Sequence, residues 1–329
     1  MMKKLSLTLM ICGLMAFAVS LAEATPERWT REGWKTDFAQ TSIDLKDILS
    51  GGIGRDVIPP IDQPKFKPAA EITHVQETEP VVGVEINGDA RAYPLQMMTW
   101  HEIVNDQFGD VPVAVTYCPL CNSAIVFERT VGGKVLDFGT TGKLRNSDLV
   151  MYDRQTQSWW QQFIGEAIVG EMTGEKLKSI PARLESFANF KTRFPDGKVL
   201  VPNNDGMRAY GRNPYAGYDS SRSPFLYRGE MPEGIEPMAR VVAYKVDGKL
   251  QALALSLLAK NGKMEIGDVV FTWTKGQNSA LDTRQIAEGR DVGNIVVQKK
   301  TDGTLKDMVY DVTFAFVVNA FSPGIAIKK

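Results

Sequence analysis

The chain has 329 residues, of which 43% are hydrophobic and 23% charged, and its formal net charge at pH 7 is −1. This composition excludes a disordered or collagen-like chain. Nucleic acids and anionic membranes both select proteins with a basic face, so the balanced charge predicts neither partner. The chain has only two histidines and three cysteines, which confines imidazole or thiolate chemistry to a few positions.

The first residues have the pattern of a secretory signal. Lys3 and Lys4 precede an uncharged apolar run from Leu5 to Leu21, and Ala22-Glu23-Ala24 follows it. Small residues at both ends of such a triplet are what a signal peptidase reads. We therefore predict a signal peptide over residues 1–24, cleavage near Ala24, and a periplasmic or secreted mature protein without a membrane span. The alternative is an uncleaved anchor, because the run is just long enough to cross a bilayer.

The mature chain is predicted to be mainly β, with minor α-helix. Short β-branched runs end at glycine or at Asn-Gly, a strong signal for a β-hairpin turn. Val81 to Ile86, followed by Asn87-Gly88, is the clearest example. Helical periodicity is weak and is best at Leu95 to Asn105 and Leu184 to Phe194.

An internal repeat divides the chain. Val81 to Leu95 matches Val241 to Leu255 without a gap, and three shorter matches follow in the same order. They pair Gly109-Asp110-Val111 with Gly267-Asp268-Val269, Asn122-Ser123-Ala124 with Asn278-Ser279-Ala280, and Val150 to Asp153 with Met308 to Asp311. We predict two similar β-rich subdomains that arose by duplication. The predicted segments are a leading segment at 25–78, a first repeat at 79–194, an irregular connection at 195–235 and a second, cysteine-free repeat at 236–329.

The mature chain keeps one cysteine pair, Cys118-Pro119-Leu120-Cys121. This C-x-x-C spacing fits a metal knuckle, a redox dithiol or a local disulfide. The second repeat has Thr274 to Gln277 at the matching place, so the repeat unit is expected to fold without the pair. Predicted strands on both sides favour a metal knuckle over a thioredoxin-like site, which needs a helix after the first cysteine.

His101, upstream of the pair, is the natural third member of the site. A Cys₂His set with one open position suits copper or zinc. The fourth ligand would be Met97, Met98, Glu102 or water. His101 could instead act as the base of a cysteine nucleophile, or be a structural histidine. We expect the ring to approach both sulfurs, with supporting polar residues around it: Glu102, Asp106, Tyr117, Asn122, Arg145 and Asp148.

Several stretches resemble an uncharacterised family of exported bacterial and archaeal proteins, known as a domain of unknown function. They are Ser50 to Pro59, Arg91 to Leu95 with His101 to Asp106, Thr116 to Ser123, and Gly142 to Arg154. The resemblance implies export and a compact family unit over roughly residues 41–325, and it implies no reaction.

Three functions remain open from the sequence. The first is a periplasmic protein that binds copper or zinc through Cys118, Cys121 and His101. The second is a thiol–disulfide oxidoreductase, or another cysteine-dependent enzyme, in which the same three residues are catalytic. The third is a non-catalytic binding or scaffold protein with a local disulfide. The partner would be a metal, a small molecule or a periplasmic protein.

Overall fold

The computed structural model describes residues 25–204 and 206–329, so the predicted signal peptide lies outside the described residues. The α-helices are short, with six or seven residues each. They are α1 (Pro26–Arg31), α2 (Leu95–His101), α3 (Phe187–Arg193), α4 (Leu255–Asn261) and α5 (Ala315–Phe321), with 3₁₀ turns at Leu45–Asp47, Ala69–Glu71, Tyr218–Ser220 and Ile286–Glu288.

Strands make up most of the ordered structure, which confirms the mainly β prediction. Before residue 205 they are β1 (Ile48–Ser50), β2 (Lys65–Pro68), β3 (Pro80–Ile86), β4 (Asp89–Pro94), β5 (Ile103–Phe108), β6 (Val111–Cys118), β7 (Ser123–Glu128), β8 (Thr130–Val131), β9 (Lys134–Val135), β10 (Phe138–Arg145), β11 (Asp148–Asp153), β12 (Trp159–Gln161), β13 (Glu166–Val169), β14 (Lys178–Ile180), β15 (Arg183–Ser186) and β16 (Lys198–Val201). After it they are β17 (Arg240–Val246), β18 (Lys249–Ala254), β19 (Lys263–Ile266), β20 (Val269–Thr274), β21 (Asn294–Thr301), β22 (Thr304–Asp307), β23 (Tyr310–Phe314) and β24 (Ile327–Lys328).

Two parts of the chain follow the same path. The first half forms sheets with strand orders β15-β3-β4-β16-β2 and β14-β7-β6-β5. The second half forms β23-β17-β18-β24 and β22-β21-β20-β19. In each half a short helix, α2 or α4, joins the first hairpin to the second. The two topologies therefore agree strand by strand except for β2, which has no counterpart among the described strands of the second half. Their origin by duplication stays a prediction.

Two of the four sequence matches do not mark equivalent places. The Asn87-Gly88 and Gly109-Asp110 turns do correspond to Asp247-Gly248 and Gly267-Asp268. Asn122 instead ends the turn before β7, whereas residues 278–280 lie in the loop between β20 and β21. Strand β11 pairs with β10 and β12, whereas β23 pairs with β17. The Val150 match is therefore not a structural equivalence, since its pairing partners differ, and the Asn122 match joins a strand start to a loop.

A third sheet has the strand order β1-β10-β11-β12-β13. Its strands β10 to β13 are inserted into the first half between β7 and β14, and β1 comes from the leading segment. The leading segment covers this sheet: the Trp29 and Trp34 rings lie 4.8 and 5.1 Å from the Trp159 ring. In the second half the two-residue turn Asp302-Gly303 replaces this insertion. The inserted sheet supplies one side of the candidate site.

The connection at 195–235 begins with β16 and then runs mostly without regular structure. It is held by both halves. The indole of Trp100 donates to the Arg212 carbonyl at 3.0 Å, and the amide of Asn213 donates to the Arg284 carbonyl at 2.9 Å. In the described part of the chain, no helix has the length and apolar character that crossing a bilayer requires.

Candidate metal centre

The two cysteines occupy a tight corner between β6 and β7. Cys118 ends β6, and the chain turns through residues 119–122 before β7 begins. The amide of Cys121 donates to the Cys118 carbonyl at 3.2 Å, and the amide of Asn122 donates to the Pro119 carbonyl at 3.2 Å. Asn122 has φ 50°, in the left-handed region that asparagine tolerates better than most residues. The predicted corner between two strands is thus present.

A hairpin of the inserted sheet faces this corner. Asn146 and Ser147 form its two-residue turn with φ 54° and 65°, the conformation of a type I′ turn. The turn directs the Ser147 carbonyl towards both thiols, 3.7 Å from Cys121 Sγ and 3.9 Å from Cys118 Sγ. Asp148 follows at once, and its Oδ1 lies 3.4 Å from Cys121 Sγ.

Cys118, Cys121 and Asp148 therefore form one cluster. Their ligand atoms all lie within 4.8 Å of one another. The three residues are 1%, 0% and 0% exposed, and both thiols are free. Within residues 25–204 and 206–329, this is the group of three or more such side chains whose geometry could hold a metal ion.

Burial controls the ionisation of this cluster. It raises the pKa of Asp148 to about 6, against the opposing hydrogen bonds from the Phe163 amide and the Gln161 side chain. It also raises the pKa of both thiols, and the nearby Asp148 carboxylate raises them further. A divalent cation would reverse these shifts, because a bound metal favours the thiolate and the carboxylate.

Glu102 adds a second buried acid beside the cluster. It follows the last residue of α2 with φ 60° and ψ −30°, a conformation that is strained for a residue with a side chain. Burial raises its pKa to about 8, and the Tyr215 hydroxyl lies 3.3 Å from its Oε1. Glu102 in turn contributes to the raised pKa of Cys118, after burial and Asp148. The side chain named as a possible fourth ligand therefore lies on the cysteine side of the helix end.

Two tyrosines from the connection also adjoin the site, and the sequence did not single them out. Tyr215 contacts Glu102 as described. Burial is the main cause of the raised pKa of Tyr218, and the nearby Cys121 and Cys118 raise that pKa further. The only signal in the sequence was the tyrosine content of residues 195–235, which carries no spacing from which a site could be read.

The second half holds the cysteine corner in place. The Thr313 hydroxyl and the Phe314 amide donate to the Cys121 carbonyl at 2.7 and 3.2 Å. The Asn122 side chain donates to the Val312 carbonyl at 2.7 Å, and Asp311 Oδ1 accepts from the Ala124 amide at 2.9 Å. Strand β23 therefore holds in place the backbone of the corner that carries both thiols.

His101 is not part of this cluster, so the predicted Cys₂His ligand set is not formed. Its Nδ1 is 2.7 Å from the Pro59 carbonyl, and its Nε2 is 2.8 Å from the Tyr210 hydroxyl. Nδ1 is therefore hydrogen-bonded to the leading segment, and Nε2 to the connection. Asp148, expected only as a supporting residue, takes the third position. The physical reason is that consecutive side chains at a helix end point in different directions, and here Glu102 is the one beside Cys118.

Some of the remaining predicted residues contact the residues of the cluster or the cysteine corner, and others lie elsewhere. Arg145 reaches Asp148 through Gln161, which accepts from Arg145 at 3.3 Å and donates to Asp148 Oδ2 at 2.6 Å. The Tyr117 hydroxyl lies 3.4 Å from the Asn122 side-chain oxygen. Asp106 belongs elsewhere, since it accepts from Arg91 and from Tyr93.

Met97 and Met98, the other suggested ligands, are fully buried in a hydrophobic cluster separate from the one that holds the cysteines. They pack in the core and do not join the three-residue group.

The family model described as "Protein of unknown function (DUF3179)" matches residues 55–324. The chain belongs to the DUF3179 family. The match includes the cysteine corner, the Asp148 hairpin and both halves, and it confirms the resemblance to an uncharacterised family. No curated protein and no solved structure matches the chain. Within this DUF3179 protein, the geometry of the site is therefore the guide to function.

Proposed function

We propose that this protein is an exported metal-binding protein in which Cys118, Cys121 and Asp148 hold one thiophilic divalent ion. The observation that carries the proposal is the buried cluster itself, with two thiols and a carboxylate whose ligand atoms lie within 4.8 Å of one another.

The donor set favours zinc over copper. Thiolates select Cu(I) and zinc, whereas a carboxylate is a harder ligand that zinc accepts and Cu(I) disfavours. Three protein ligands also leave one tetrahedral position for water or a substrate, the pattern of catalytic rather than purely structural zinc. Glu102, whose charge acts on Cys118, would be the candidate proton donor or acceptor for such chemistry.

The charges around Asp148 support a cation. Its Oδ2 accepts from Gln161 and from the Phe163 amide, and it forms no ion pair with any described residue. A buried carboxylate without a cation is costly. A divalent ion bound by two thiolates and this carboxylate would offset that cost.

Metal binding is tested on the chain from Thr25 onward, purified without oxygen. We expect about one zinc per chain by elemental analysis, and thiolate charge-transfer bands when cobalt replaces zinc. Cys118→Ser, Cys121→Ser and Asp148→Asn should each weaken binding by more than about 100-fold, because loss of a partner outside the ligand set already costs 10–100-fold.

His101→Gln is the matched control, since it removes the one imidazole that the sequence placed in the site. It should bind zinc as the wild type does. Zinc binding that survives Asp148→Asn but fails in His101→Gln would contradict the proposed ligand set.

A dithiol function is the second candidate, and the contact between Cys121 Sγ and Asp148 Oδ1 at 3.4 Å favours it. Oxidation would join Cys118 and Cys121 in a disulfide, with Asp148 taking the proton of Cys121. The two electrons and two protons released would reduce a partner's disulfide to two thiols. In a glutathione redox buffer, reversible loss of both thiols in the zinc-free protein, slowed by Asp148→Asn, would support this role. Thiols that stay reduced throughout would exclude it.

Export is part of the proposal. The Lys3-Lys4, apolar run and Ala22-Glu23-Ala24 pattern supports a cleaved signal peptide. Fractionation of a bacterial host should place the protein in the periplasm with Thr25 at its N-terminus. Recovery with Met1 in the membrane fraction would contradict it.

A further inference from the structure

A cavity that shares no lining residue with the metal cluster lies where four parts of the chain meet. Its volume is about 710 Å³, within the usual range for small-molecule sites. It is lined by the segment before β3, by α2, by the connection and by the loop before β21, through residues that include His74, Glu79, Gln96, Arg208, Tyr210 and Glu288.

Among the described residues of this lining, three buried polar atoms have no hydrogen-bond partner. They are Glu79 Oε2, Gln96 Nε2 and Arg208 Nε. Glu79 and Gln96 are only 3% and 4% exposed, so their side chains are almost entirely removed from bulk solvent. Buried polar groups are nearly always hydrogen-bonded in proteins, and each unmade bond costs about 1–3 kcal/mol. Three such atoms around one cavity point to a ligand that completes them.

The neighbouring contacts show which atoms are committed. Glu79 Oε1 accepts from the Gln76 amide at 3.0 Å, which leaves Oε2 directed to no protein donor. Arg208 donates from Nη2 to the Val57 carbonyl at 3.2 Å, and its guanidinium lies 5.9 Å from the Trp100 ring. Arg208 forms no ion pair within the described part of the chain, so its positive charge has no anionic partner there.

We propose that this cavity binds a small organic carboxylate that also carries a hydroxyl or an ammonium group. Arg208 and Gln96 supply donors and a positive charge for the carboxylate. Glu79 supplies the acceptor for the hydroxyl or ammonium. A ligand with one of these groups alone would leave part of the lining unpaired.

His101 contacts a lining residue of this cavity and is not part of the metal cluster. Tyr210 lines the cavity, and its hydroxyl is bonded to His101 Nε2 at 2.8 Å. The histidine therefore holds a wall residue of the cavity, and its role in this fold is a positioning one.

The test is isothermal titration calorimetry on the chain from Thr25 onward. The probes are L-alanine, L-glutamate, lactate and malate, with acetate and glycerol as probes that carry only one of the two groups. We expect saturable binding of at least one amino or hydroxy acid, and binding of acetate and glycerol weaker by about tenfold or more. Absence of binding by all four acids, or equal binding of acetate, would overturn the proposal.

Two variants assign the binding to this cavity. Arg208→Gln should lower the affinity for the acid by about tenfold or more, because a hydrogen bond to a charged group is lost. Arg222→Gln, at an exposed arginine of the same connection, is the matched control and should change nothing. Equal affinities in the two variants would place the ligand elsewhere.

The isosteric change Glu79→Gln separates the two ligand classes. An amide oxygen still accepts from a hydroxyl but no longer pairs with an ammonium, so amino-acid binding should fall more than hydroxy-acid binding. The Cys118→Ser/Cys121→Ser double variant should retain the binding in full. Its loss there would show that the cavity depends on the metal centre, which contradicts a separate site.

Discussion

The two halves follow the same strand order but bury their acids differently. Against the second half, the buried carboxylate of Asp219 in the connection pairs with two guanidinium groups of that half, from Arg240 at 3.1 Å and Arg290 at 2.9 Å. In the first half, Asp148 is equally buried and pairs with no cationic side chain of the described residues. Asp311 of the second half is also buried without an ion pair among the described residues, but Asp148 of the first half differs in lying with two thiols in a group that could hold a cation from outside the chain.

The C-terminal ends of the equivalent helices α2 and α4 also differ in backbone strain and buried charge. Helix α4 ends at Gly262 with φ 69°, where glycine has no steric cost. Helix α2 ends at Glu102 with φ 60°, which adds strain and a buried carboxyl. Strain and unpaired acids occur together in the half with the cysteines, a combination typical of functional sites.

The largest effect that we expect from this contrast is on how the free energy of unfolding of the metal-free protein depends on pH. Burial raises the pKa of Glu102 to about 8 in the folded metal-free protein, from 4.5 for an exposed glutamate. Between these values the unfolded chain loses its proton while the folded protein keeps it, so the free energy of unfolding falls as pH rises. Urea denaturation with a chelator should show wild type losing a few kcal/mol between about pH 5 and pH 8.

Asp148 adds to the lower part of this interval, since its pKa is raised to about 6. Glu102→Gln should lose distinctly less stability over the same range. A metal-free protein that becomes more stable from about pH 5 to pH 8 would be inconsistent with two buried, unpaired acids.

The next effect concerns the contact between the halves. Arg183 of β15 donates to both carboxylate oxygens of Asp307 of β22, at 2.6 Å each. Arg183→Met should lower the free energy of unfolding by about 1–3 kcal/mol, since a largely buried charged pair is broken. Lys299→Met, which breaks an exposed pair with Asp268 inside the second half, should cost under about 1 kcal/mol. Equal losses would mean that the halves do not depend on this contact.

Exchanging residues at the helix ends tests the comparison directly. Glu102→Gly should stabilise the metal-free protein by about 1–2 kcal/mol at neutral pH, because strain and a buried acid are removed. The reciprocal change Gly262→Ala should destabilise it by about 1–2 kcal/mol, because alanine is strained at φ 69°. Denaturation midpoints that move in the same direction for both changes would refute the assigned strain.

The smallest effect tests the support given by the second half. Thr313→Val removes the hydroxyl that donates to the Cys121 carbonyl and keeps the shape of the side chain. It should cost about 1 kcal/mol and weaken zinc binding, although Thr313 is no ligand. Thr304→Val, which removes an exposed hydroxyl bonded to the Thr301 carbonyl, should leave zinc affinity unchanged. Equal zinc affinities would show that β23 does not hold the corner.

Local features were predictable because neighbouring residues determine them. The Asn87-Gly88 turn and the cysteine corner between two strands were both correctly expected. The short matches at Asn122 and Val150 were misleading, because three or four similar residues can occur in a loop or on strands with different partners. His101 was expected near the cysteines because the chain has few imidazoles and this one lies shortly before the pair, but its ring bonds to Pro59 and Tyr210 instead.

The sequence by itself determined the β-rich character, the hairpin turns and the place of the thiols, since each depends on alternation or turn chemistry over a few residues. Only the tertiary structure decided what surrounds the thiols. The inserted hairpin brings Asp148, the connection brings Tyr215, and β23 bonds to Cys121 across a sequence separation of 192 residues. Such contacts depend on how whole sheets pack, and no local pattern of residues encodes them.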